Sequence, residues 1–386
     1  MVHLQVLTDV VAQRVRTVEI SGIRKMFEAA GPDAVNLGLG EPDFEPPKEV
    51  IAALSHAVEH GMNHYGPSAG LPELREKVAE RYRDRDPTTS RDNVIITSGG
   101  SEALMAVALT MYDVGDEVLV PNPGFVLYPP HAKLCGATPV PYELEEARGF
   151  QPNVDAMARL VTPRTRALVV NSPSNPTGGL FSRATVERLC EFAEEHDLMI
   201  ISDEVYEEMI YEGEFTSFWG RSDRVIVVNS FSKNYAVTGW RLGFIVAPRA
   251  LAPDLNKVHY HLMACPATPA QVAILAGLNE VPDAAARMMK EFRVRRKLIL
   301  RSLNSIPGIR CVPPAGAFYA FPGFTWSRNA NEVAGALLQR GLICTPGEAF
   351  GSLGAKHLRL SFAASQDAIR RGMSILKAYA EEVSGA

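Results

Sequence analysis

SFSKNYAVTGWRLG, residues 230–243, follows a run of valine and isoleucine at Val225–Asn229 that is typical of a buried strand. Lys233 lies between small residues at the end of such a strand, where its side chain is expected to be shielded from solvent. Desolvation lowers the pKa of its amine and makes it a nucleophile. Arg241 comes eight residues later, and its guanidinium fork suits a phosphate dianion to which the Ser230 hydroxyl can also donate. Taken alone, Lys233 fits an exposed loop lysine more often than a reactive one.

The bulk composition narrows the class of protein. The chain has 386 residues, 46% hydrophobic and 22% charged, which predicts two linked globular domains. Its net charge of -5 argues against a nucleic-acid partner. Five cysteines without a Cys-x-x-Cys pair argue against disulfides and a metal site and favour a reducing compartment. The first 17 residues show neither a signal peptide nor a membrane span, so we expect a cytoplasmic protein without a membrane partner.

Short apolar runs alternate with amphipathic stretches through the middle of the chain. The predicted strands are Val94–Thr97, Glu117–Val120, Ala167–Val170, Leu198–Ser202, Val225–Asn229 and Leu242–Val246. Helices are predicted between several of them, including Ser101–Tyr112 and Arg183–His196. This alternation predicts an α/β fold whose large domain has three layers and a mostly parallel sheet. No convincing helix separates the last two strands, so one of these strands is expected to run antiparallel.

The pattern changes after about residue 275. The elements predicted there are the helix Ala284–Leu303, the strands Ala317–Phe321 and Leu358–Ser361, and the helices Asn331–Arg340 and Gln366–Glu382. They predict a second, smaller α/β domain. We assign residues 46–275 to the large domain, and residues 1–45 and 276–386 to the small one.

Two loops that follow predicted strands carry groups suited to a cofactor. Asp203 ends the strand Leu198–Ser202, where a carboxylate can face a cationic ring nitrogen, although an acid-rich helix N-cap explains the same residues. Gly99, Gly100 and Ser101 open a predicted helix, whose backbone N–H groups can cradle a phosphate. Plain helix capping explains these three residues as well. They match neither the dinucleotide fingerprint nor a P-loop.

Several further motifs lie outside these two loops. NSPSNPTG at residues 171–178 is a turn, and the bond between residues 175 and 176 is a candidate cis peptide. The remaining motifs are LGLGEPDF at 37–44, HYGPSAG at 64–70, PGF at 123–125 and HLRLSF at 357–362.

Together these segments resemble the class I/II aminotransferases, which are aspartate aminotransferase-like pyridoxal-phosphate enzymes of fold type I. Residues 230–243 match the cofactor-attachment signature of that family at every defined position. The other motifs occur in the family's order from residue 37 to residue 362. The resemblance implies pyridoxal 5'-phosphate as cofactor, residues 46–275 as the cofactor-binding domain, and a homodimer with shared active sites.

The resemblance also implies a role for each matched residue. Lys233 would hold the cofactor as a Schiff base, Asp203 would face the pyridine nitrogen, and Phe125 would stack on the ring. Tyr206 and Asn175 would bond the phenolic oxygen. The residues implied at the phosphate are Gly99, Gly100, Ser101, Ser230, Arg241 and the partner subunit's Tyr65. Those implied at the substrate carboxylate are Gly40, Asn175 and Arg359.

The reaction implied is transfer of an amino group from an L-amino acid to a 2-oxo acid, with Lys233 as general base and Asp203 and Tyr206 as the other catalytic residues. A carbon–sulfur β-lyase on the same fold is the nearest alternative. A ligand-sensing regulator is disfavoured because the first motif begins near residue 37 and leaves no room for an N-terminal DNA-binding domain. A nicotinamide dehydrogenase is disfavoured by the missing GxGxxG motif.

The preferred amino donor depends on which residues face the substrate side chain. Aspartate-specific members use an added cation, and the stretch 257–271 offers Lys257, His259 and His261 but no arginine. Residues 21–27 form a basic-aromatic patch that can line an entrance, although an amphipathic helix explains it too. Phe125 stands where aspartate-type members usually have Trp. The donor specificity is therefore expected to be aspartate-type or broad, with broad specificity favoured, and 2-oxoglutarate is the expected acceptor.

Overall fold

The computed structural model describes residues 10–18, 31 and 33–384. Within them, eight strands form the main sheet. In spatial order these are Val94–Thr97, Gly243–Val246, Val225–Ser230, Met199–Asp203, Thr165–Asn171, Glu117–Asn122, Thr138–Glu145 and Gln151–Pro152. The five strands from Val225–Ser230 to Thr138–Glu145 are mutually parallel. Gly243–Val246 is antiparallel to both of its neighbours, so the predicted antiparallel strand is confirmed.

Alternating side chains of the main sheet enter two separate cores. Val225 and Val227 pack in one core with the helices Pro72–Tyr82 and Arg183–Glu195, whereas Ile226 and Val228 pack in the other. Because successive strand residues point to opposite faces, both faces must be covered, which explains the continuous apolar strands. The predicted three-layer α/β architecture is therefore confirmed.

Helices and short strands surround this sheet. The α-helices are Gln13–Arg16, Lys48–Glu59, Pro72–Tyr82, Gly99–Met111, Tyr128–Leu134, Val154–Met157, Arg183–Glu195, Phe231–Asn234, Ala252–Met263, Thr268–Glu280, Ala284–Leu303, Ala330–Gln339 and Gln366–Ser384. Single 3₁₀ turns occur at Arg91–Asn93, Glu146–Arg148, Ala158–Leu160, Thr238–Trp240, Gly347–Phe350 and Ser352–Gly354. None of the helices in the described ranges has the length and apolar character that a membrane crossing needs.

A third core lies beside the sheet and draws mainly on residues after 284. The helices Ala284–Leu303 and Gln366–Ser384 pack there around short strands. These strands pair as Val35–Asn36 with Leu342–Ile343, Ile309–Arg310 with Gly323–Phe324, and Leu358–Ser361 between Tyr319–Ala320 and Thr345–Pro346. Tyr206 and Met209 from the carboxyl edge of the main sheet also enter this core, so the two units meet beside that edge.

Three differences from the sequence-based prediction have local causes. The strand Ala317–Phe321 shortens to Tyr319–Ala320 because Ala317 has a φ of 55°, which extended backbone does not allow. Strand Gly243–Val246 begins one residue late, after Arg241 at a φ of 53°. The strand Thr138–Glu145 was not predicted, since Pro139 and Pro141 argue against an interior strand.

Candidate active site

The site forms where parallel strands of the main sheet end. Asn171, Asp203 and Ser230 are the last residues of three neighbouring strands. The carboxyl ends of parallel strands meet at one edge, so their side chains converge although they are distant in sequence. All three side chains are buried.

A cavity of about 260 Å³ opens at this edge. It is lined by Leu39, Gly40, Gly100, Ser101, Leu104, Phe125, Asn171, Asn175, Asp203, Val205, Tyr206, Ser230, Ser232, Lys233, Arg241, Tyr319 and Arg359. Eleven of the thirteen residues predicted for the site therefore line one cavity. The exceptions are Tyr65 and Gly99, and Gly99 directly precedes the lining residue Gly100 in the chain.

Lys233 has the environment of a reactive amine. The short helix Phe231–Asn234 directly follows a buried strand and brings the side chain into the cavity. Its Nζ donates to Gly40 O at 2.6 Å. Burial, followed by the positive charges of Arg241 and Arg359, lowers the pKa of Lys233 to about 8, although Glu41 opposes this. A substantial fraction of the amine is therefore uncharged near neutral pH and available for attack.

Asp203 is a buried carboxylate whose environment favours a bound cation. The Tyr128 hydroxyl donates to its Oδ2 at 2.7 Å, and the backbone N–H of Val205 donates to Oδ1 at 3.3 Å. Burial raises the pKa of Asp203 to about 6, and these two hydrogen bonds counter only part of the rise. Burial disfavours the negative charge on Asp203, and a positive ring nitrogen beside the carboxylate would stabilise that charge again.

Arg359 is a buried cation whose described hydrogen-bond partners are all neutral. Its Nη1 donates to Asn175 Oδ1 at 3.1 Å, and its Nη2 donates to Gly38 O and to Thr345 Oγ1. Its Nε has no hydrogen-bond partner among the described residues. Burial lowers the pKa of Arg359. A buried guanidinium without a carboxylate partner is costly by itself, so the geometry favours an anionic ligand there.

Two aromatic rings fix the guanidinium of Arg359 in place. The Tyr319 ring centre lies 4.7 Å from it, and that of Phe350 lies at 4.9 Å. The Tyr319 hydroxyl also bonds the Tyr206 hydroxyl at 2.8 Å. A Cβ on Gly40 would lie 2.2 Å from Tyr319 Oη, so only glycine allows the chain to pass this close.

An anion cradle lines another part of the same cavity. Gly99 begins the helix Gly99–Met111 at a φ of 78°, and a Cβ there would lie 2.6 Å from Arg241 Nη2. Arg241 donates from Nη1 to Thr238 O at 2.9 Å and remains exposed. The Ser230 hydroxyl caps the next short helix. A helix N-terminus, a hydroxyl and a guanidinium together are suited to a phosphate.

Tyr128 and Tyr319 were not among the predicted site residues. The sequence around each tyrosine is typical of a hydrophobic core, and each side chain is buried. Tyr128 follows Phe125 by three positions, a spacing that fits one turn of a core helix equally well. Tyr319 reaches the cavity from the second unit, 113 positions from its partner Tyr206. Only the tertiary fold brings Tyr128 to Asp203 and Tyr319 to Tyr206.

Other predicted features have mixed outcomes. The peptide between Asn175 and Pro176 is cis, as predicted, and Asn122–Pro123 and Ser172–Pro173 are cis as well. Tyr65 is 91% exposed and lies outside the cavity. The basic-aromatic patch at residues 21–27 lies outside the described residues. Lys257, His259 and His261, considered as an added cation, do not line the cavity.

Comparisons with known proteins agree with this arrangement. The sequence profile of the family described as Aminotransferase class I and II matches residues 32–376. A probable aspartate aminotransferase of Methanocaldococcus jannaschii is 38% identical, over 95% of this chain and 99% of its own. Aromatic-amino-acid aminotransferase 2 of Thermococcus litoralis is 36% identical, over 96% and 98%. The solved structure of an alanine aminotransferase from Pyrococcus furiosus superposes with a TM-score of 0.90 at 35% identity, over 96% and 100%.

Proposed function

The chain belongs to the class I and II aminotransferase family and acts as a transaminase, and from this premise we propose that pyridoxal 5'-phosphate is its cofactor and that Lys233 holds it. One observation carries the proposal. Lys233, with its lowered pKa, lies in one cavity with a buried carboxylate, Asp203, and with two guanidinium groups, Arg241 and Arg359. A phosphate at Arg241 and a carboxylate at Arg359 would satisfy both cations.

The residues present fit this cofactor. Asp203 would face its pyridine nitrogen, Phe125 would cover its ring, and Tyr206 would donate to its phenolic oxygen. The Asn175 side-chain oxygen already accepts from Arg359, which leaves its amide N–H₂ free to donate to the same phenolic oxygen. Gly99, Gly100, Ser101, Ser230 and Arg241 would hold the phosphate.

The cofactor, when bound, supplies a protonated pyridine ring that can accept negative charge from the substrate. The protein performs the remaining tasks. Arg359, with the backbone of Gly40 nearby, orients the substrate carboxylate. The freed Lys233 amine takes the proton from the substrate α-carbon as general base. Asp203 stays negative and stabilises the ring cation beside it.

We further propose that residues 46–275 form the cofactor-binding domain and that 1–45 with 276–386 form the small domain, a cytoplasmic homodimer being the working unit. Exposed apolar side chains shortly before Tyr65 in the chain and on the helix Ala252–Met263 support a partner contact. These are Val58, Met62, Tyr260 and Leu262. Tyr65 would then reach the phosphate of the second protomer.

Cofactor uptake by the apoenzyme is expected to depend on pH through Lys233. Only the uncharged amine attacks an aldehyde, so the rate should rise about tenfold per pH unit below a pKa of about 8 and level off above it. A lysine with an ordinary pKa would continue to accelerate to about pH 10. Stopped-flow absorbance with pyridoxal phosphate measures this profile.

Borohydride reduction completes that experiment by fixing the cofactor to its attachment residue. Peptide mapping should find the label on Lys233. A label on another lysine, or a rate that still rises steeply above pH 9, would contradict the assignment.

For the donor we propose broad specificity, with 2-oxoglutarate as acceptor. Among the described residues, the cations lining the cavity are Lys233, Arg241 and Arg359, and each already has a role. The other lining residues include Leu39, Leu104 and Val205. The relatives bear names with aspartate, aromatic amino acids and alanine as donors.

A panel of aspartate, alanine and aromatic donors with 2-oxoglutarate tests this proposal. We expect kcat/KM values within about two orders of magnitude of each other, since apolar contacts discriminate by only about 1–3 kcal/mol. An aspartate value several hundred times above all others would contradict broad specificity. Ammonia release from a β-substituted amino acid, measured in parallel, distinguishes transfer from elimination.

A further inference from the structure

The loop from His64 to Leu71 is attached to a pair of helices by side-chain hydrogen bonds. The helix Ala252–Met263 and the helix Thr268–Glu280 supply the side chains. The contacts are Asn256 Nδ2 to Ser68 Oγ (3.2 Å), His259 Nε2 to Ser68 O (2.9 Å), Thr268 Oγ1 to His64 O (3.1 Å) and Leu71 N to Gln271 Oε1 (2.8 Å). The loop is therefore rigidly held while Tyr65 projects from it, 91% exposed.

His259 differs from the other three because it also faces away from the loop. Its Nδ1 lies 3.0 Å from Glu102 Oε1, and its ring is fully buried. Ser68 O can only accept, so Nε2 carries the hydrogen of that contact, while Nδ1 faces the Glu102 carboxylate. The imidazole thus links two segments that are far apart in sequence.

Glu102 extends the link to the anion cradle. Its second oxygen, Oε2, accepts the backbone N–H of Ser98 at 3.1 Å. Ser98 directly precedes Gly99, Gly100 and Ser101 at the start of the helix. The carboxylate therefore occupies one backbone donor at the helix N-terminus and fixes the direction of the turn that presents the remaining donors.

We propose that His259 is a positioning residue for the cofactor phosphate, because the Ser68–His259–Glu102–Ser98 bridge joins the cradle of one protomer to the loop that presents Tyr65 to the other. This inference rests on the proposed function. His259 is fully buried, and loss of either His259 or Glu102 leaves the other without its hydrogen bond. The cradle and the Tyr65 loop would then move independently.

The test compares two ligands that differ only in the phosphate. Apoenzyme variants His259→Phe and Glu102→Leu are titrated with pyridoxal phosphate and with pyridoxal, using absorbance. We expect the Kd for pyridoxal phosphate to rise about tenfold, which is the loss typical of one charge-assisted hydrogen bond, and the Kd for pyridoxal to stay within about twofold. The double variant should have a Kd for pyridoxal phosphate no higher than that of the more impaired single variant, since both changes break the same bridge.

The matched control is His261→Phe, which makes the same substitution at an exposed position of the same helix. It should leave both Kd values unchanged. Glu102→Leu removes both carboxylate oxygens at a partly exposed side chain and keeps the test open if His259→Phe does not fold.

Equal changes in both Kd values, or no change in either, would overturn the proposal. A purely structural role lowers the midpoint of thermal unfolding but leaves the ratio of the two Kd values as in the wild type. Failure of the wild-type chain to bind pyridoxal phosphate through Lys233 would refute the proposed function instead, so the two failures are distinguishable.

Discussion

Lys233→Ala is expected to reduce transamination by at least about 10⁴-fold in kcat/KM, because in the proposed function Lys233 both attaches the cofactor and acts as general base. The environment of Lys233 explains the size of the effect. Its amine is held by Gly40 O at 2.6 Å inside the cavity, and burial lowers its pKa to about 8. Another lysine would have to reach the same point to replace it. Amino transfer to 2-oxoglutarate, together with the visible absorbance of the lysine-bound cofactor, provides the measurement.

Two variants control for loss of charge and for nonspecific effects. Lys257→Ala removes an exposed amine that pairs with Asp254 and should keep full activity. Lys233→Arg keeps a positive charge but offers no nucleophilic amine, so it should be as inactive as Lys233→Ala. Activity above about 1% of wild type in either Lys233 variant would contradict the assigned role.

Arg359→Ala is expected to reduce kcat/KM for α-amino acids by about 30- to 4,000-fold, the equivalent of about 2–5 kcal/mol for a buried charge-assisted pair. The loss should fall on substrate recognition, since Arg359 lies on the strand Leu358–Ser361 and none of its described hydrogen bonds goes to the anion cradle. The Kd for pyridoxal phosphate should therefore stay within about threefold of wild type. Steady-state kinetics and a cofactor titration measure the two quantities separately.

Further variants test the geometry of this recognition. Arg359→Lys keeps the charge but loses the planar fork held between Tyr319 and Phe350, so we expect an intermediate loss. Arg370→Ala is the control, because Arg370 is exposed and pairs only locally with Asp367 among its described ion pairs. A loss of cofactor affinity as large as the loss in kcat/KM would show that Arg359 does not act on the substrate.

The stability of Arg359→Ala provides an independent check. Removing a buried guanidinium relieves a desolvation cost that no described carboxylate offsets. We therefore expect only a small decrease in the thermal midpoint, or an increase. A large decrease would indicate that Arg359 mainly holds Asn175 and Thr345 in place.

The residues that could be predicted from the sequence are those with a local signature. Lys233 and Arg241 share one continuous segment, and Asp203 follows a recognisable buried strand. Asn175 lies in a turn whose proline identified a cis peptide. Tyr128 and Tyr319 have no such signature, because each acts through a partner, Asp203 or Tyr206, that is distant in the chain.

The same distinction applies to the fold. The apolar runs at Val225–Ser230 and Met199–Asp203 predict buried parallel strands because β-branched side chains must be covered on both faces. Pro139 and Pro141 conceal the strand Thr138–Glu145, which pairs in parallel with Glu117–Asn122. Its neighbour in the sheet, not its own residues, makes it a strand.

The sequence by itself predicted the α/β class and an antiparallel strand among Val225–Asn229 and Leu242–Val246, since both depend on short-range patterns of hydrophobicity and spacing. The motif at residues 230–243 predicted Lys233 as the reactive residue. Only the tertiary structure decided that Arg359 is buried without a carboxylate partner among the described residues, that Tyr128 bonds Asp203, and that His259 bridges to Glu102. Burial and pairing between distant segments depend on how separate elements pack, and packing is a property of the whole chain.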